Sequence, residues 1–411
     1  MENIDFRNGI SAAIFQTARI ALAEIPRQLH ATSRRGHPLP PNRFSPRTSA
    51  QDRALVDAKI VKIEDRLPIL AADREWHPSQ WLLGGNPQLA NLVTETIGDR
   101  WIDHVEDLQQ LTLWADDEQL QSRWQTVKQA NKQALADYLV RSQGIHIDVS
   151  SLFDLQLQPI VEQQRQLLNI LYIVGLFNQI KSNPAVDILP RTFIFGNLGE
   201  IEPTQLAIDR DGPAPVNSDR AIVELIQALA KVLATDADLQ GKLQVVYIPN
   251  SAGLTSQMYA AADLTQQIAP AAIEDIDLSQ LRAAINGVLS IGSWGKTNYW
   301  LQQLVGAENY FGFGLPIPEI HLFKEYGYDP NNYYKHYPEI RQSIDCLLTG
   351  YFTPEHPHLC QQSIDTLFGI DEQMILADYI FYTACQARVS DTYRQKSLWT
   401  KMSILNVAGV G

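Results

Sequence analysis

The side chains best suited to chemistry lie in the second half of this 411-residue chain. Glu274, Asp275 and Asp277 stand almost side by side, with Arg282 shortly after. Carboxylates this close could hold Mg²⁺ or act as general acid and base, so these four are the candidate catalytic groups. A solvated acidic loop is the plainer reading of the same residues. His356 and His358, in Pro-Glu-His-Pro-His, offer two imidazoles. Neither a third ligand nor a helical i,i+4 spacing accompanies them, so a loop is expected and no metal site. Cys346, Cys360 and Cys385 are odd in number and lack a CxxC, which reads as reduced thiols. There is no Ser/His/Asp triad, Walker loop or GxGxxG.

The elements that must carry these groups follow an α/β grammar. Trp81-Leu-Leu-Gly-Gly-Asn86 reads as the end of a short buried strand, and Pro87 suits the first position of a helix. Asp116–Ser142 is predicted as a long polar helix with Glu, Gln, Lys and Arg on its exposed face. Phe153–Leu157 alternates like a strand, and Val161–Ile180 has the apolar period of a buried amphipathic helix. Thr192–Phe195, Leu243–Ile248 and Gly287–Gly292 are apolar runs bounded by turn residues, as central parallel strands are. Ala221–Leu233 reads as a helix, and the remainder as mostly helical. The expected fold class is α/β with a doubly wound parallel sheet and helical additions. Residues 1–75 stand apart: an amphipathic helix over Ile10–Leu29, then a Pro/Arg-rich connector over Ala31–Ser49. The expected domains are therefore 1–75 and 76–411.

The net charge of −13 argues against a polyanionic partner, so neither nucleic acid nor an anionic membrane is expected. Met1 is followed by Glu2, Asp5 and Arg7, not by a basic and then apolar leader, and a cytoplasmic location is expected.

Several segments, read in order, carry a family resemblance. They include Lys128-Gln-Ala-Asn-Lys132, Ser151-Leu-Phe-Asp-Leu-Gln156, Arg165-Gln-Leu-Leu-Asn169, Pro190-Arg-Thr192, Ala261-Ala-Asp-Leu264, Phe311-Gly-Phe-Gly314, Ala377-Asp-Tyr379 and Trp399-Thr400. Collinear from about residue 78 to 409, they resemble the C-terminal domain of the glycogen and starch (α-glucan) phosphorylases. The resemblance implies one Rossmann-like half of a two-domain glycosyltransferase B fold. Residues 1–75 do not match the family's N-terminal domain. A protein partner or self-association is therefore expected to cover the face left by that domain, with a glucan as a further candidate ligand.

The resemblance also implies a pyridoxal phosphate site, and there the sequence departs. The family's cofactor lysine ends a Gly-Thr-Gly-Asn-Met-Lys segment. The equal-length stretch here is Asp277-Leu-Ser-Gln-Leu-Arg282, which puts Arg282 at the lysine position. A guanidinium stays protonated and forms no stable imine. Gln158, Gln164, Asn197 and Ser251 stand where the family has cations, while Arg165 is kept. Two adjacent phosphates need such cations around them. No cofactor is expected. The resemblance aligns Asn86 and Glu274 with glucose-contacting residues, although a turn at Asn86 and a helix-start or solvated carboxylate at Glu274 are the plainer readings. Trp294, Tyr299 and Trp300 replace smaller or charged family residues and could fill volume vacated by the cofactor. The expectation is a phosphorylase-like protein without α-glucan phosphorylase activity, acting as a binding or regulatory partner. The alternatives are a repurposed cofactor-independent enzyme in the old cleft and a residual glycogen phosphorylase.

Overall fold

Strand β1 (Leu152–Gln158) sets the pattern for the molecule. Phe153, Leu155 and Leu157 face one apolar layer, while Leu152, Asp154 and Gln156 face the other. Both faces are buried, so the sheet needs helices on both sides. The computed structural model describes residues 77–158, 165–197, 218–249, 251–268, 279–354, 356, 358–369, 371 and 373–411. The expected helix at 10–29 and connector at 31–49 lie outside the described residues.

Six parallel strands form one sheet: β1, β2 (Arg191–Asn197), β3 (Leu243–Ile248), β4 (Leu264–Gln267), β5 (Leu289–Ser293) and β6 (Phe311–Phe313). Their order is β3-β2-β1-β4-β5-β6. Leu155 pairs with Ile194 on one side and Thr265 on the other, and Ile291 pairs with Phe311. The chain winds outward in both directions from β1 and β4, so the topological switch point lies between those two strands.

Helices α1 (Pro78–Gly85), α2 (Pro87–Ile97) and α3 (Glu118–Gln143) precede the sheet. Asp117 caps α3 by accepting from the Leu120 amide at 2.7 Å, and Gly144 ends it at φ 69°, a conformation that suits glycine. Within the sheet region run α4 (Gln166–Ser182), α5 (Ser218–Thr235), α6 (Thr255–Ala261), α7 (Ser279–Ile285) and α8 (Lys296–Val305). After β6 follow α9 (Ile317–Tyr326), α10 (Pro330–His336), α11 (Pro338–Leu348), α12 (His358–Gly369), α13 (Ile375–Arg394) and α14 (Lys396–Gly409). The larger core joins α4, α5, α11, α12 and α13 to one sheet face. The smaller joins α3, α6 and α7 to the other, through Leu135, Leu139, Tyr259 and Ala283.

The doubly wound parallel sheet agrees with the sequence expectation, and four details differ. Trp81–Asn86 is helix α1 and the turn after it, not a strand. Pro78 opens that helix, and Leu82, fully buried, anchors its inner face. Strands β4 and β6 escape sequence reading because Leu-Thr-Gln-Gln and Phe-Gly-Phe are short and lack an apolar run. Helix α4 begins at Gln166 and is buried nearly all round in its first half, not on one face. Finally, α3 is not uniformly polar outward: Lys132 is 2% exposed.

Candidate functional site at the carboxyl edge of the sheet

In a doubly wound sheet, ligands enter outside the carboxyl ends of the strands at the switch point. Gln164, Glu274, Asp275 and Asp277 fall in stretches outside the described residues, as do the side chains of Gln158 and Asn197. Beside the Arg165–Asp378 ion pair, the described side chains that join β4 and β5 to α7 and α8 are neutral and hydrogen-bonded. Asn298, at the start of α8, donates from Nδ2 to the carbonyls of Gln267 (3.0 Å) and Ser293 (2.7 Å). Its Oδ1 accepts from Gln280 Nε2 at 2.8 Å. Gln267 Nε2 in turn donates to Ser279 Oγ at 3.2 Å. These amides and hydroxyls tie the ends of β4 and β5 to α7 and α8.

Ser251, at the position of a family arginine, is fully buried. It packs against β2 so tightly that a Cβ on Gly196 would lie 2.7 Å from Ser251 Oγ and 2.5 Å from a Leu157 methyl. Glycine at 196 is thus what lets the ends of β1 and β2 and the turn after β3 meet.

Arg282 sits on α7, half-buried, and its guanidinium carbon lies 4.6 Å from the centre of the Trp81 ring on α1. This is within cation–π distance. One turn on, Asn286 donates from Nδ2 to the Arg282 carbonyl at 2.9 Å and accepts at Oδ1 from Asn86 Nδ2 at 3.0 Å. Asn86 Oδ1 also accepts from the Leu89 amide (3.3 Å) and from Asn131 Nδ2 (3.0 Å). With 1% exposure, Asn86 has its polar atoms turned to protein partners, where it closes α1 and caps α2. Sequence reasoning singled out Arg282 and Asn86 but missed Trp81, because a stack between two distant helices leaves no local spacing to read.

Buried charge is abundant, both near the strand starts and, at Arg165, by the end of β4. Lys132 donates to Asp263 Oδ2 (2.7 Å) and to the Ser151 carbonyl (2.6 Å), and Asp263 also accepts from the Phe153 amide at 2.9 Å. Lys128 donates to the carbonyls of Ala260 (3.0 Å) and Ala262 (2.6 Å), and loss of hydration pulls its pKa down to about 8. Arg165, 1% exposed, donates to the Ile268 and Gln373 carbonyls and to Asp378 Oδ2, each at 2.7 Å. Arg191 meets Asp154 at 3.2 Å and Gln386 Oε1 at 2.5 Å. Burial pushes the Asp154 carboxyl up to about 6, against the opposing pull of Arg191. Tyr382 extends this network to Gln266 (2.5 Å) and accepts from Gln386 (2.8 Å).

The remaining candidates separate. His356 is exposed in the turn before α12, and among the described residues no cluster of three or more His, Cys, Asp or Glu is placed to hold a metal. Cys346, Cys360 and Cys385 are free thiols, and burial raises the Cys385 thiol to about 12. Trp294 lies against Gly312, toward the β5–β6 edge, while Tyr299 and Trp300 are half-buried on α8; the ring that meets Arg282 is Trp81. Among the described residues no helix is long and apolar enough to cross a membrane.

Residues 77–411 match the family model for carbohydrate phosphorylases. The chain belongs to the carbohydrate phosphorylase family. It is 35% identical over 335 residues to glycogen phosphorylase of Synechocystis, and 34% identical over the same length to the muscle form of Oryctolagus cuniculus. In both comparisons the alignment covers 81% of this chain but 38% of the relative, so the chain matches well under half of these phosphorylases. The segments that carry the phosphorylase resemblance are the ones supplying Lys128, Lys132, Asp154, Arg165, Arg191 and Asp378, all part of the internal bonding of the fold. Ser251 sits instead in the turn after β3, and Arg282 on α7 between β4 and β5.

Proposed function

We propose that this chain is a phosphorylase-fold protein that does not carry out pyridoxal-dependent phosphorolysis of α-glucans, and that it serves as a binding or accessory partner in glucan metabolism. The observation that carries this reading is Arg282 on α7, with its guanidinium turned onto Trp81. When bound, pyridoxal phosphate supplies an aldehyde for imine formation and a phosphate for acid–base work beside the substrate phosphate. The residues described here do not fit that group. Arg282 offers no amine that can condense with an aldehyde. Gln267, Ser279, Gln280 and Asn298 offer neutral donors and acceptors, already engaged with one another, where a phosphate dianion would need cations. The intact core supports retention of the fold for recognition, and a glucan or a complete phosphorylase subunit is the partner proposed.

Two measurements on the purified full chain test this. Its absorbance spectrum is expected to lack a pyridoxal band before and after denaturation, and glucan plus inorganic phosphate is expected to yield no glucose 1-phosphate. A releasable pyridoxal chromophore together with phosphorolysis would sink the proposal. Retention of the chain on immobilised glucan, or co-sedimentation with an intact phosphorylase, is expected for the binding role. Neither occurring would remove that role.

A further inference from the structure

We propose that Leu113, Trp114 and Leu398 form a docking surface for a protein partner, one that presents a basic segment with apolar side chains along one face. The inference goes beyond the function proposed above and does not depend on it. It starts from the 3₁₀ segment Val105–Trp114. With three residues per turn, Val105, Leu108, Leu111 and Trp114 recur on one side of that segment. Leu108 and Leu111 are fully buried and hold it to the domain. Leu113 falls off this stripe and is 86% exposed, so its apolar side chain contributes little to packing. Trp114, at the end of the stripe, is still 44% exposed.

Helix α14 supplies the other side of the surface. Its Lys401 pairs with Asp116, two residues after Trp114, at 2.7 Å. Leu398, one turn earlier on the same face of α14, is 42% exposed. The Lys401–Asp116 bridge therefore brings a further exposed apolar side chain toward the end of the 3₁₀ segment. Beside it lies an open groove of about 530 Å³, lined by Asp116, Gln395, Lys396, Ser397, Leu398 and Lys401.

Charge then selects the occupant. Residues 98–118 hold seven carboxylates and one arginine, which places −6 of the chain's −13 on this stretch. Asp99, Asp103, Glu106, Asp116, Asp117 and Glu118 are exposed there, and the arginine, Arg100, is paired with Asp107 at 3.1 Å. The two lysines of the groove are engaged as well, Lys401 with Asp116 and Lys396 over the Tyr393 ring at 3.4 Å. Apolar anchors on a surface rich in carboxylates suit a segment whose apolar side chains are flanked by Lys or Arg, as an amphipathic helix provides. A neutral glucan stacked on Trp114 would leave Leu113 and the carboxylates without a role. A second copy of this chain, at −13, would bring like charge against like.

The test uses the full chain and a fluorescein-labelled synthetic helix with leucines along one face and lysines on the other. A control peptide of the same composition has its leucines scattered around the helix, so its charge is unchanged. By fluorescence anisotropy the chain is expected to bind the amphipathic peptide about tenfold or more tighter than the control. L113S/W114S is expected to lose that preference. L113S alone, at a side chain too exposed for the change to disturb folding, is expected to weaken binding about threefold or more. D116N/E118Q is expected to keep the preference while binding about two- to fivefold weaker at low salt, a difference that shrinks as salt is added. Equal affinity for the two peptides, or equal binding by the unaltered chain and L113S/W114S, would show only general attraction to an acidic protein and would overturn the inference. Displacement of the peptide by maltoheptaose would reassign the surface to glucan. Concentration-dependent self-association abolished by L113S would reassign it to a second copy, and either result overturns the protein partner. The spectral and phosphorolysis measurements above are expected to be unmoved by these substitutions, so failure here leaves the proposed function standing.

Discussion

Buried ion pairs and the amide cluster beside α7 and α8 treat charge in opposite ways. Lys132–Asp263 and Arg191–Asp154 near the strand starts, and Arg165–Asp378 near the ends of β4 and β6, are ion pairs whose side chains are 7% exposed or less. Beside α7 and α8, the described side chains that join β4 and β5 to these helices are amides and hydroxyls, and Arg282 is stacked on an indole. Burying a charge is costly, and losing one partner of a buried pair leaves the other stranded. Internal pairs are therefore held by the stability of the whole fold. A charge that serves only to bind a ligand has no such protection. On the function proposed above, the fold remains phosphorylase-like while cofactor-binding charges drift.

The comparison breaks most visibly at the interior. Lys132→Met removes the bonded cation from Asp263, leaving it the Phe153 amide, the Tyr393 hydroxyl and the more distant charges of Lys128 and Lys396, and is expected to cost about 3–5 kcal/mol in urea unfolding. A loss below about 1 kcal/mol would place this pair with ordinary surface bridges and erase the contrast. A smaller effect is expected at Asp154, with a definite sign. Its folded pKa of about 6 lies above the unfolded value, so the folded chain holds a proton that the unfolded chain gives up. The stability linked to that proton is full below about pH 4 and is lost as pH rises through about 6. Comparing the unaltered chain with D154N between those limits, stability is expected to swing by about 1–3 kcal/mol in favour of the variant as pH rises. A flat difference would mean that Arg191 compensates the carboxylate fully.

How much of this was legible in the sequence follows the same division. The apolar runs at 192–195 and 243–248 announced β2 and β3, because strands covered on both faces must be apolar throughout. Strand β4 gave no such signal, since Thr265, Gln266 and Gln267 are buried polar residues satisfied by distant partners such as Tyr382 and Ser279. The inward turn of Lys132 was likewise invisible, as its acceptor Asp263 is 131 positions away. Trp81–Asn86 misled because a short apolar run with two glycines suits a strand locally, and only packing of Leu82 and Gly85 selects the helix. At the site, the identity of Arg282 could be read from alignment with a motif. Its direction could not, because Trp81 lies some 200 residues earlier in the chain.

The smallest expected effect sharpens the contrast most, since it concerns a hydrogen bond at the edge. Ser279→Ala removes the acceptor of Gln267 Nε2, a bond of 3.2 Å between neutral groups. The expected loss is about 1 kcal/mol, the usual net worth of a neutral hydrogen bond, with no dependence on pH between about 5 and 8. Lys132→Met, by contrast, strands a buried carboxylate, so its cost should be several times larger. Measuring both variants across that pH range compares the two regions directly. If S279A proved as costly as K132M, this cluster would be as tightly constrained as the ion pairs, and the proposed loss of ligand-binding charge could no longer be explained by a lack of structural constraint there.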